Sequence, residues 1–75
     1  MWNLEGMQVE GIYLSEAAVS GKVTLSRVCY GGGVTHHVAI DKGFFITAPS
    51  GQVIIRREAG DVVIIEHKHI TKVRD

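Results

Sequence analysis

An all-β fold is predicted: a small, strongly bent antiparallel barrel of about five to six strands. Three observations predict it. Val34, His36, Val38 and Ile40 alternate with Thr35, His37 and Ala39, the period of a half-buried strand. Two β-prone segments, 19–30 and 34–40, flank Gly31-Gly32-Gly33, and glycine accepts the positive φ of a tight hairpin tip without steric cost. No segment holds a helical period over three turns.

Taken in order, residues 1–6 read as a tail in which Trp2 packs on a neighbour rather than on a ligand. Residues 11–14 are apolar and β-prone, and 7–9 extend them. Ser15 to Ala18 is a connector too short to stand as a helix. Residues 21–30 form one long strand in which Val23 and Leu25 share a face while Val28 and Tyr30 have the opposite parity. That slip predicts a bulge near Ser26-Arg27, which lets one strand serve two sides of a barrel. Strand 34–40 follows the glycines. Asp41-Lys42-Gly43 is a turn, 44–47 a strand, Ala48 to Gly51 a second turn, 53–57 a strand and Glu58 to Asp61 a third turn. Val62 to Ile65 is apolar on both parities, so it is buried on both faces or lies at a subunit boundary. The spacing of Ile70 and Val73 predicts a one-turn twist into a last short strand.

Seventy-five residues make one domain. A chain this short buries only roughly 60% of its unfolded surface. Cys29 is the one cysteine, which excludes an internal disulfide and a cysteine-based zinc cluster and points to a reducing compartment. Small domains without such staples gain stability by oligomerising, so a homo-oligomer is expected. No apolar run is long enough to span a membrane, and residues 1–5 lack the basic and apolar regions of a leader, so the expected location is cytoplasmic. Net charge is zero but uneven: residues 1–21 carry −3 (Glu5, Glu10, Glu16), 22–40 carry +2 (Lys22, Arg27) and 41–75 carry +1. A neutral chain grips phosphate poorly unless one face gathers the cations.

No catalytic constellation is expected. Cys29 has no evident histidine–carboxylate partner, and the triple glycine lacks the Lys-Ser/Thr and following helix of a phosphate loop. His67 and His69, two apart, would share a strand face and could hold zinc or nickel only if a third ligand converged; the nearby candidates are Glu66 and Asp61, of which Glu66 points to the opposite face, so neither metal nor cofactor is expected. His36 shares the apolar parity and reads as a satisfied, partly buried histidine, with His37 facing outward.

The candidate nucleic-acid contacts are Arg27, Tyr30, Arg56, Arg57, His67, Lys68 and His69. Guanidinium groups grip phosphate oxygens in pairs, and a tyrosine beside glycine can stack on a base. The plainer readings are solvated charge at a strand end for Arg56-Arg57 and a core aromatic with its hydroxyl at the surface for Tyr30. Phe44-Phe45 must put one ring on each face: one in the core, the other as a subunit contact or a stacking platform.

Residues 9–14 as first strand, Val19-Ser20-Gly21-Lys22-Val23 opening a bent second one, the glycine tip, then Val62–Glu66 and His69-Ile70-Thr71-Lys72-Val73 as a final pair carry a resemblance. Over about residues 8–73 the chain resembles the Sm/LSm-like branch of SH3-type barrels, whose diverged members occur in phages and environmental sequences. The eukaryotic Asp-x-x-x-Asn and Arg-Gly elements are missing, and Glu66-His67-Lys68-His69 stands where bacterial host-factor members carry Tyr-Lys-His, with Lys-His offset by one residue. The resemblance implies a homo-oligomeric ring of about five to seven subunits, joined through the last two strands, that binds single-stranded RNA or DNA without catalysis. A weaker resemblance, carried by Gly21, His36-His37 and Ile40-Asp41-Lys42-Gly43, is to the tryptophan-dependent RNA-binding attenuation proteins. That family's pocket threonines fall on Val28 and Gly33, which implies no tryptophan switch. The alternative to a nucleic-acid binder is a structural or protein-interaction subunit, a phage-type accessory module whose Phe and Trp side chains make partner contacts.

Overall fold

A strand of period two buries one face only, and the alternation in 34–40 is obeyed throughout: His36, Val38 and Ile40 are buried, their neighbours half-buried. The computed structural model describes residues 2–74. Its elements are β1 (Gln8–Tyr13), β2 (Ala17–Val28), β3 (Val34–Ile40), β4 (Phe44–Thr47), β5 (Val53–Arg57), β6 (Val62–Glu66), a 3₁₀ turn (His67–His69) and β7 (Ile70–Arg74). All strand pairs are antiparallel. Five strands form one sheet in the order β6-β3-β2-β1-β7, and β4 and β5 form a separate two-stranded arm. The all-β class is as predicted.

The sheet is strongly curled. Its edge strands β6 and β7 lie four spacings apart, about 19 Å on a flat sheet. Yet they are joined by the three residues of a 3₁₀ turn, which span only about 6 Å. The curl brings β1 against β6: a Cβ on Gly11 would touch the Ile65 side chain at 3.4 Å. Gly21 marks the tightest approach, since a Cβ there would collide with the Ala39 carbonyl across the ladder. Among the described residues no ladder joins β6 to β7, so both edges stay open and the barrel is not closed by hydrogen bonds.

The core is Leu4, Val9, Val19, Val23, Val38, Ile40, Val63 and Ile65. Leu4 corrects the expectation of a tail over residues 1–6. It is buried, and the Gly6 amide donates to the Val23 carbonyl at 2.8 Å, so the chain is docked from Leu4 onward; Trp2 is half exposed. The bulge in β2 falls at Thr24, two residues before the expected place. It turns Leu25 outward, so Val23 and Leu25 do not share a face, and it brings Ser26 inward against His36. Val62 to Ile65 is not buried on both faces either: Val63 and Ile65 enter the core while Val62 and Ile64 face solvent on an edge strand. The twist before the last strand precedes Ile70 rather than spanning Ile70 to Val73.

The arm leaves the sheet at a fastened base. Asp41 accepts hydrogen bonds from Gln8 Nε2 and Ser20 Oγ, its amide donates to the Ser20 carbonyl, and Ile40 exchanges backbone bonds with Gly60 and Asp61. Beyond that base the β4–β5 hairpin projects. The radius of gyration is 12.6 Å, with extents of 40 × 27 × 17 Å. A compact chain of this length would have about 11 Å.

Candidate functional site

The residues predicted to contact nucleic acid fall into separate places. β2 and β3 meet at the glycine tip, where the Cys29 amide donates to the Gly33 carbonyl and Gly31 and Gly32 take positive φ. Tyr30 stands fully exposed there and is no core aromatic, because the tip has no opposing layer to cover it. Arg27 is exposed one row below, opposite Thr35, which in turn is opposite Glu66. The Gly32-Gly33-Val34 backbone, Glu66, His67 and Lys68 line a shallow pocket beside the tip, and Lys68 is paired with Glu66 at 3.7 Å. Arg27, Tyr30, His67 and Lys68 are therefore gathered at the tip end.

Arg56 and Arg57 lie elsewhere. Their register partners are Phe45 and Phe44 on the arm, beyond the far end of β3 and roughly 20 Å of strand from the tip. As expected of neighbouring residues, the two aromatics split between faces. Phe44 packs edge-on against Tyr13 with ring centroids 5.7 Å apart, while Phe45 is 61% exposed with Arg56 across from it. His69 is separate again. In a 3₁₀ turn each residue rotates by about 120°, so His67 and His69 do not share a face as a strand would require. His67 turns toward the tip pocket and the core, and His69 toward a separate cleft on the other side of Glu66. The candidate cations thus fall into two small patches, one at the tip and one on the arm, the first partly neutralised by Glu66.

The buried, satisfied histidine expected at His36 anchors a polar cluster inside the sheet, and its partners Ser26 and His67 are what the sequence reading missed. His36 is 0% exposed, and both of its nitrogens are engaged: Nδ1 lies 2.8 Å from Ser26 Oγ and Nε2 lies 2.8 Å from His67 Nδ1. Ser26 Oγ accepts the Leu4 amide at 2.9 Å, and the Ser26 amide donates to a Glu5 carboxylate oxygen at 2.9 Å. The cluster stitches the N-terminal segment, β2, β3 and the 3₁₀ turn together. Between the two rings there is room for one proton. Either His36 donates to His67 or the reverse, and two ring N–H groups cannot face each other at that distance. Burial pushes the His36 pKa below its ordinary value, and the His67 charge adds to the effect. Ser26 was hidden because its inward parity depends on the bulge at Thr24.

The other conspicuous feature is apolar. The turn between β1 and β2 holds Leu14 and Ser15 at φ of 52° and 60°, a region that non-glycine residues enter at a cost. That turn presents Leu14, 54% exposed, toward Ile64 of β6, 53% exposed. With Ile12, Ser15, Glu66 and His69 they line a cleft of about 350 Å³. On the arm Phe45, Val53 and Ile54 are exposed as well. No helix among the described residues is long and apolar enough to cross a membrane.

No protein-family model, curated protein or solved structure matches this chain.

Proposed function

We propose that this chain is a non-catalytic structural module that assembles with copies of itself. The observation that carries the reading is the concentration of exposed apolar side chains on three features that a lone subunit leaves unpartnered: the arm, the β1–β2 turn and the edge strand β6. Single exposed apolar residues are ordinary, but clusters beside open sheet edges mark interaction surfaces. Burying one such side chain in a contact contributes about 1.5–3 kcal/mol, enough for a handful to offset the entropy of association. Zero net charge removes the long-range repulsion that would oppose packing of identical copies.

The test is the mass in solution, by light scattering coupled to size exclusion over a wide concentration range. A multiple of the chain mass is expected, five to seven subunits if the assembly closes as a ring. A single-chain mass at every concentration overturns the reading.

A second reading keeps a specific observation. Tyr30 is fully exposed at a backbone tip with Arg27 and Lys68 close by, the pairing of aromatic face and cation used to hold single-stranded nucleic acid. A U-rich and A-rich RNA panel added to the same experiment tests it. Retention that falls steeply with salt supports it, and no shift at low salt removes it.

A further inference from the structure

We infer that the assembly is built by an arm-in-cleft contact: the β4–β5 arm of one copy seats its Phe45 and Ile54 in the cleft formed by Ile12, Leu14 and Ile64 of the next. The inference rests on the self-assembly reading and names its two surfaces.

The arm is shaped to be received. It stands away from the sheet on a base pinned through Asp41, and no arm residue lines the cleft of its own chain. Phe45 and Ile54 are 61% and 57% exposed, so neither is needed to hold the arm to its own body. Phe44, on the opposite strand face from Phe45, does that by packing against Tyr13 and the core. The cleft is shaped to receive. Its apolar floor is open to solvent, and its most prominent wall, Leu14, is held outward by a left-handed backbone conformation, which a fold without a use for that side chain would relax with glycine or asparagine.

Charge selects a second copy as the occupant. Exposed Arg56 lies across from Phe45 on the arm, and the strands of the arm carry no carboxylate. Glu66, which also pairs with Lys68 at 3.7 Å, lines the cleft beside His69, and Glu16 belongs to the same turn as Leu14. Aromatic-plus-arginine anchors entering an apolar pocket with acidic neighbours have the make-up of a contact centre. The two surfaces differ, so the contact is heterologous. Repeated, it propagates from subunit to subunit and gives a ring if the rotation closes and an open chain if it does not.

The test uses complementary variants of the full chain. Phe45→Glu with Ile54→Glu spoils only the arm. Leu14→Asn with Ile64→Lys spoils only the cleft, and asparagine tolerates the positive φ. Circular dichroism and a thermal melt first establish that each is folded. Each double variant alone is expected to run at the single-chain mass. Their equimolar mixture is expected to run at twice that mass, because one intact arm then meets one intact cleft and neither product can propagate. Wild-type assemblies with both folded variants still assembled would overturn the arm-in-cleft contact while leaving self-assembly standing. Folded variants that are monomeric alone and in mixture would also overturn it, in favour of like-with-like contacts. A monomeric wild type would remove the reading on which the inference rests. If a double variant unfolds, the single substitution on the same surface, Ile54→Thr or Ile64→Thr, replaces it and is expected to weaken assembly at least tenfold.

Discussion

The curled sheet and the β4–β5 arm are built from the same kinds of residue and put them to opposite uses. In the sheet, Val9, Val19, Val23, Val38, Ile40, Val63 and Ile65 point inward, and the buried polar groups Ser26 and His36 are fully hydrogen-bonded. In the arm, Phe45, Val53 and Ile54 point to solvent and only Ile46 is buried. The sheet thus holds a core within one chain, while most of the arm's apolar surface faces solvent. Substitutions in the sheet should change whether the chain folds, and substitutions in the arm should change only what it binds.

The largest effect is expected at Gly21. Its α-carbon faces the Ala39 carbonyl and the Ile40 backbone so closely that a methyl group has no room, and the colliding atoms are main chain that cannot swing aside. Gly21→Ala should cost about 3 kcal/mol or more, a large part of the stability of a domain this size, read as a collapse of the urea midpoint. A melt unchanged from wild type would show that the sheet is less tightly curled there than its register implies. The same substitution at Gly51, which meets nothing but has positive φ and lies in the arm turn, should be much milder.

Next comes Ser26→Ala. The hydroxyl accepts the Leu4 amide and bonds His36 Nδ1, and both would be left buried without a partner. A loss of about 1–3 kcal/mol is expected, with faster hydrogen exchange at Leu4 as the local sign. Equal loss of protection throughout the sheet would instead assign the serine a purely global role.

The histidine pair adds a pH dependence to the sheet that the arm lacks. The folded-state pKa of His36 lies below its ordinary 6.5, so the unfolded chain binds more protons once the pH falls under that value. The contribution is fully present above about pH 6.5 and is lost as the pH falls from there through the lowered folded-state pKa. Denaturant midpoints should therefore decline on the acid side, and His36→Gln should flatten the decline while lowering stability at pH 8. Parallel declines in wild type and variant would transfer the effect to other groups.

The same contrast explains what was legible beforehand. Strand existence and turns were readable because period-two alternation in 34–40 and the Gly, Pro and Asp clusters are local signals. The split of Phe44 and Phe45 followed from strand geometry alone. What was missed depended on partners distant in sequence. Leu4 reads as tail until one knows that β2 lies against it. Ser26 reads as an outward residue until the bulge is placed at Thr24 rather than two residues later. His67 and His69 read as a same-face pair because the sequence does not distinguish strand from 3₁₀ turn over three residues. The candidate contacts suffered most, since their grouping depends on which strand ends the curl brings together. Arg27 and Lys68 both fall at the tip end of the sheet, while Arg56, closer to Lys68 in sequence than Arg27 is, ends at the far side.

The smallest expected effect is electrostatic and tests the arm rather than the sheet. Arg56 on the arm and Glu66 at the cleft are both exposed, and Glu66 already pairs with Lys68 in its own chain. An exposed pair between subunits should therefore be worth only about 0.2–1 kcal/mol. Arg56→Glu should weaken assembly by less than tenfold and leave the melting of the dissociated chain unchanged. Glu66→Arg should do the same, and also remove the link to Lys68. Combining the two restores opposite charges across the contact, so the double variant should assemble more tightly than the sum of the singles requires, with the coupling shrinking as salt is added. Additive losses would mean that Arg56 and Glu66 do not meet, and the arm would then have to enter the cleft in another orientation, with Phe45 and Ile54 seated but the guanidinium facing water.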